Sequence, residues 1–301
     1  MSITQITKTR IGEPIRRDGL SIFPLFHETP RLDGIAIADE TLEVSELQSA
    51  SVPELQVHNP KPHPVVIPAG RVLEGGRQTR VVNVSIIVPA GARMVIPVSC
   101  VESGRWAGGS TFRHSHRVVN RHVRHAKSRG VKRNIDLTGR HESDQGMVWD
   151  AVRDTLRTAA MFSPSESFLE ADRRLDIDER LSALTDDLVE NGLVTGQTGI
   201  AVAVGDRVVG VELFTSADDL ASCWTEMVRL AVGELVEQST VDAEATIADV
   251  EKFLAAAAEA PATRIKGTGL GTEYHVDEEN LVAHALVDDA GNLIHAFAFV
   301  N

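Results

Sequence analysis

EGGRQTRVVNVSIIVPAGARMVIPVSCVESGRW, residues 74–106, is the stretch whose reading decides the fold. Two β-branched runs flank a Pro-Ala-Gly-Ala turn, which is the pattern of a hairpin. Side chains alternate along a strand, so parity assigns faces. Val82, Val84, Ile86 and Val88 share one face of the first arm, and Val81, Asn83, Ser85 and Ile87 form a wetter one. In the second arm Met94, Ile96 and Val98 share the apolar face, and Cys100 and Glu102 continue it. Gln78 and Arg80 continue the apolar face of the first arm.

The head of a core strand thus carries an amide and a guanidinium turned inward. A three-residue loop, Ala90-Gly91-Ala92, pairs 88 with 94 and keeps both apolar faces on one side. That register predicts Val82 opposite Cys100 and Arg80 opposite Glu102. An unpaired charge facing a core is costly, so Glu102 is the expected partner of Arg80. The pair is either a latch at the open end of the sheet or the floor of a polar pocket, with Arg77, Gln78, Arg105 and Trp106 at its rim. A guanidinium matches phosphate or carboxylate bidentately, and an indole can stack on a ring. Charged groups crowding both arms exceed what a latch requires, which favours the pocket.

Outward from this hairpin, residues 20–106 read as short β-branched runs broken by Pro, Gly and Asn. They predict an antiparallel, β-sandwich-like or barrel-like half. VIPAG at 66–70 and IVPAG at 87–91 read as two similar turns. Residues 107–143 are rich in Gly, Ser, Arg and His and lack periodicity, which predicts a long basic loop. Val148, Val152, Leu156 and Ala159 mark an amphipathic helix after Asp144. Ser163-Pro164-Ser165-Glu166 reads as the cap of a second helix. A hairpin at 200–214 turns on Gly205-Asp206, Ser216 with Asp219 opens a helix running to about Val236, and residues 243–260 are helical and acidic. The chain closes in strands. The fold class is α+β, with a β-rich half (1–106), the basic loop segment (107–143) and an α+β half (144–301) packed on the first.

The chain has 301 residues, 43% of them hydrophobic, and a net charge of −13. Such an acidic chain repels nucleic acid, and with one Tyr it offers few stacking platforms. From Arg105 to Arg133, however, nine Lys or Arg occur without one Asp or Glu. That imbalance points to an anionic ligand or, alternatively, to an interaction protein docking an acidic partner or nucleic acid through residues 105–133. The two cysteines, Cys100 and Cys223, suit a reduced compartment, and a polar N-terminus without an apolar run predicts a cytoplasmic location and no membrane span.

Other motifs carry less. Cys100 in a strand reads as a small core residue. His114, His116, His122 and His125 have ligand-like side chains among cations that oppose a metal, so no metal is assigned. KGTGLG at 266–271 fits neither a dinucleotide nor a Walker pattern and reads as a turn; no cofactor is expected.

GLSIFPLF, VPELQVHNP, IPAGRVLEGGRQTRVVNVSIIVPAG and IPVSCVESGRW, in that order, resemble the ARG-and-rhodanese-phosphatase-superfamily-associated protein domain family. DQGMVW at 144–149, VVGVELF at 208–214 with Trp224, and the ending ALVDDAGNLIHAFAF fit it too. The resemblance covers about residues 19–299. It departs from the family pattern at Arg71, Arg77 and Thr79. It implies a context of NAD and ADP-ribose metabolism. The expectation is therefore a protein that binds, and could process, a small anionic ligand such as ADP-ribose. Arg80 and Arg105 would hold phosphate, Trp106 would stack, Arg77 would sit at the rim and Gln78 would orient. Glu102 would be the acid or base of any catalysis, though an ionised partner of Arg80 is a weak base. Oligomeric state is not legible.

Overall fold

The computed structural model describes residues 2–27, 34–237 and 243–300. The protein is α+β, as expected, with mainly antiparallel sheets. It divides into two compact units: residues 33–174 with 265–271, and residues 1–32, 175–264 and 272–301. The divisions fall after 32 and 174 instead of at 106 and 143.

The first of these units is built on a closed barrel of six strands: β1 (Glu43–Ser45), β2 (Glu54–His58), β3 (Arg71–Gly75), β4 (Arg80–Val82), β5 (Arg93–Cys100) and β6 (Thr111–Val118). Their order around the barrel is β5-β2-β1-β6-β3-β4. Closure leaves no open edge to pair with other chains. Val44, Leu55, Val57, Leu73, Val82, Ile96 and Val98 fill a core shared with Val84, Ile86 and Val88. The inward parity read from 82–98 is thus the packing observed.

The hairpin itself is not. Residues 86–88 leave the barrel and pair with Val65–Ile67, Ile86 opposite Ile67 and Val88 opposite Val65. The two similar Pro-Ala-Gly segments therefore follow strands that pair with each other, and both turns place their glycine at positive φ. Between β4 and residues 86–88 the strand is interrupted at residues 83–85. The Asn83 N–H donates to the Pro97 carbonyl at 3.1 Å, its carbonyl accepts from Lys127 Nζ, and Ser85 Oγ accepts from the Ala69 N–H at 3.2 Å. With the first arm divided, β4 meets β5 two residues from the predicted register: Val82 faces Val98 and Arg80 faces Cys100. A shift of two preserves every face and changes every partner.

The basic segment is a second correction. Residues 107–143 are not a loop: β6 hydrogen-bonds between β1 and β3, and α1 (Arg121–Thr138) follows, capped by the Asn120 side chain on the Val123 N–H. Helix α1 gives Val131 and Ile135 to the barrel core. Arg124 and Lys127 are wholly buried and donate to the Ala69 and Asn83 carbonyls. Arg113 pairs with Glu74, Arg117 with Asp172 and Lys132 with Asp136. Glu74 and Asp172, distant in sequence, and Asp136, one helical turn on, lie outside the run and pair with three of its cations. Helix α2 (Gln145–Thr158) buries Val148, Val152, Leu156 and Ala159 as its periodicity requires. The next helix, Phe168–Asp172, begins after Ser167, so Ser163–Glu166 precedes it as a turn instead of opening it. KGTGLG is a turn as read, held by the Leu270 N–H on the Ile87 carbonyl at 3.1 Å.

In the other unit, a large antiparallel sheet runs in the order 9–11, 20–27, 199–204, 207–214, 293–300, 281–287 and 272–278. Helix Ile247–Glu259, closed by a Thr246–Asp249 capping box, packs its Val250, Leu254 and Ala257 on one face. The helix opened by Ser216 is interrupted at Cys223 and resumes at Trp224. No helix among the described residues is long and apolar enough to cross a membrane.

His114 lies on β6 opposite Leu73 and is 7% exposed. Burial, reinforced by the Arg71 guanidinium, pushes its pKa from 6.5 down to about 4. The unfolded chain takes up this proton near pH 6.5 and the folded chain only near 4. Stability should fall as pH drops through that window, by about 1.4 kcal/mol per pH unit, and the contribution should level off below it. Urea unfolding between pH 7 and 4 checks this: His114→Gln should flatten the slope, and an unchanged slope contradicts it.

Candidate functional site

The mouth of β4 and the end of β5 bring together most of the residues singled out above. Gly75 and Gly76 turn the chain out of β3 at positive φ, +122° and +52°. A Cβ on Gly76 would stand 2.0 Å from the Phe112 ring, so any side chain here would have to displace that ring as well as take a positive φ. Arg105 uses this turn as its anchor, donating from Nη1 to the Gly76 carbonyl at 3.0 Å and from Nη2 to the Gly75 carbonyl at 3.2 Å.

Glu102 does not pair with Arg80. Its Oε2 accepts from Arg105 Nη2 at 2.7 Å, from the Thr79 N–H at 3.0 Å and from Thr79 Oγ1 at 2.9 Å. Its Oε1 accepts from Ser165 Oγ at 3.0 Å. The two-residue shift placed Cys100 where Glu102 was expected, and Arg105, three residues on, took the carboxylate. Burial alone would raise the pKa of Glu102, but the hydrogen bonds from Arg105 and Thr79 outweigh it and hold it below the usual carboxylate value. A carboxylate so held is a clamp and a weak base.

Arg80 is 0% exposed. Its Nε donates to the Val52 carbonyl at 3.2 Å and its Nη1 to the Gln78 carbonyl at 2.9 Å. Its Nη2 has no hydrogen-bond partner among the described residues. Burial lowers the guanidinium's pKa, while nearby acidic groups, Glu46 and Glu102 among them, work against that shift. Trp106, 47% exposed, carries its ring 5.9 Å from the Arg80 guanidinium and 5.4 Å from that of Arg77. Arg77 is exposed at the rim. Gln78, 4% exposed, donates to the Glu102 carbonyl at 3.0 Å, and its Oε1 is unpartnered. The structure thus gathers Arg77, Gln78, Arg80, Glu102, Arg105 and Trp106 in one place.

Cys100, opposite Arg80, is fully buried; its thiol donates to the Glu102 carbonyl at 3.3 Å. Burial pushes its pKa up, so it stays a thiol, as a core residue should. The Gln145 side chain brackets the same residue, accepting from its N–H and donating to its carbonyl, both at 2.8 Å.

Three contributors escaped the sequence reading: Glu46, Gln145 and Ser165. Glu46 Oε1 accepts from the Arg77 N–H at 3.0 Å, and its Oε2 is buried without a partner. Thirty residues separate it from the strand it serves, and no periodicity links them. The four histidines scatter instead of converging: His114 is buried in β6, His116 meets Glu40 at 2.7 Å, His122 lies 3.7 Å from Asp154, and His125 is buried in α1.

The sequence description of the ARG and Rhodanese-Phosphatase-superfamily-associated Protein domain matches residues 8–299, and the chain belongs to that family. No curated protein and no solved structure matches it.

Glu102→Gln keeps the shape and removes the charge that Arg105 and Thr79 share. With the Glu102 side chain 9% exposed and that of Arg105 30%, the cost should fall between a surface pair and a fully buried one, about 2 kcal/mol. Because the folded pKa of Glu102 is depressed, its contribution is present above the ordinary carboxylate pKa and is lost as pH falls through the folded value. Urea titrations should show the variant weaker at pH 7 and converging with the parent in acid. Equal stability at pH 7 would show that the clamp contributes nothing.

Proposed function

We propose that the Arg80 site binds an anionic, nucleotide-like small molecule such as ADP-ribose. The observation that carries this reading is Arg80 itself. It is a wholly buried guanidinium with one nitrogen unpartnered, and it makes no ion pair with a described residue. Leaving a buried charged donor unsatisfied is costly, and such a defect persists where a ligand completes it. Arg77 and the half-exposed Trp106 supply what a nucleotide-like ligand needs around that point, a second cation and a stacking surface.

Arg80 has no exposed surface, so a ligand gains Nη2 only where a neighbour yields, and Trp106 is the neighbour at the surface. The family's context in NAD and ADP-ribose metabolism agrees with this ligand class. The roles change from those read off the sequence. Arg105 is spent on Glu102, so Arg80 and Arg77 carry the anion. Glu102 shapes the site and does not act as base, and binding is the activity proposed.

ADP-ribose should raise the melting temperature, since a ligand of the native state stabilises it. Trp106→Ala should fold normally, because the side chain is half-exposed, and should weaken ADP-ribose binding about tenfold or more by calorimetry, the worth of one stacking contact. Binding should survive 200 mM salt far better than a phosphate-backbone contact would. No stabilisation at millimolar ADP-ribose, or full affinity in Trp106→Ala, would overturn the reading.

A further inference from the structure

Three buried polar atoms without partners among the described residues belong to the residues of this one site, and they are of opposite kinds. Arg80 Nη2 is a donor, while Gln78 Oε1 and Glu46 Oε2 are acceptors. Their residues are 0%, 4% and 8% exposed. Hydrogen bonds through other atoms link their residues. Glu46 Oε1 holds the Arg77 N–H, the residue next to Gln78, and the Gln78 carbonyl holds Arg80 Nη1. A bare phosphate would satisfy Arg80 and leave both acceptors facing a negative charge. Neither an unpartnered carboxylate oxygen nor an unpartnered amide oxygen suits an anion.

A hydroxyl suits all three, because one oxygen can donate to a carboxylate or amide while accepting from a guanidinium. Two adjacent hydroxyls can donate to Glu46 and Gln78 together. We propose that Glu46 and Gln78 read the hydroxyls of a polyol, a ribose-type vicinal diol, beside the anionic group that Arg80 and Arg77 attract. The site would then be a sugar-phosphate site, with Glu46 as its specificity-determining carboxylate. This rests on the Arg80 site being a ligand site at all. It adds that the ligand's hydroxyls, and not its phosphate alone, are recognised.

The test separates the two claims. Ribose 5-phosphate, 2-deoxyribose 5-phosphate and inorganic pyrophosphate are titrated into the full chain by calorimetry. Wild type should bind ribose 5-phosphate at least about tenfold more tightly than the deoxy sugar, the usual penalty for leaving a charged acceptor unpaired. Glu46→Gln should fold, since its amide oxygen can still accept from the Arg77 N–H. It should shrink the tenfold preference to about threefold or less, while pyrophosphate binds as well or better with one negative charge removed. Gln78→Leu should also narrow the preference. Equal binding of both sugars by wild type, or a preference unchanged in Glu46→Gln, would overturn diol recognition while leaving the anion site standing. Failure of all three probes to bind wild type would remove both claims.

Discussion

The carboxylate of Glu102 is the point on which the rest of the site depends. Three donors converge on one of its oxygens and a fourth meets the other. They come from the segment after β3, from the residue three positions on, and from the turn before the helix at 168. One charged acceptor thereby fixes three pieces of irregular chain. Hydrogen bonds to a charged group are worth about 1.5–3 kcal/mol each, roughly twice neutral ones, so the arrangement holds where a sheet ladder is absent. The glycine turn at 75–76 is the other half of this constraint. Its carbonyls receive the Arg105 guanidinium, which then presents Nη2 to Glu102.

That choice of partner explains why Arg80 is unusual. A barrel mouth with one arginine and one carboxylate would close into a simple ion pair. Here a second arginine, reached by a short local path, takes the carboxylate. Arg80 is left with two backbone carbonyls and an unpartnered nitrogen. A local contact of three residues costs little chain entropy to form, whereas a cross-strand contact depends on register. The unsatisfied group is thus a consequence of local geometry. It is also the feature most suggestive of a ligand.

Much of the fold was legible from periodicity. The inward face of 82–98, the helix bearing Val148 to Ala159, the hairpin on Gly205-Asp206 and the closing strands all follow from alternation or a three-to-four repeat. Period-two and period-3.6 patterns report burial directly, and burial is what they encode. The segment 107–143 shows where this fails. Its core contribution rests on Val131 and Ile135, set among Arg124 and Lys127, whose partners lie far away in sequence. A helix that buries cations against backbone carbonyls has no apolar stripe to betray it. Its charge run looked like an anion-binding loop because the carboxylates that pair with it lie outside it.

The sequence by itself marked Gln78, Arg80, Cys100 and Glu102 for burial, and all four are buried, but so are Thr79, Val81, Ser99 and Val101 between them, and beyond the strand ends Glu102 turns to the Thr79 side chain of the opposite parity. Alternation of side chains is a property of any strand, so faces follow from parity alone. Tertiary structure decided who meets whom. The first arm is interrupted at 83–85, where the Asn83 carbonyl takes Lys127 and the Ser85 hydroxyl takes the Ala69 N–H, and 86–88 pair with another strand. A slip of two residues is invisible to parity, since it returns every side chain to its own face. It nevertheless gave Arg80 a thiol for a neighbour and left Glu102 to Arg105, while Glu46 reaches the site from just after β1, where no local pattern connects it.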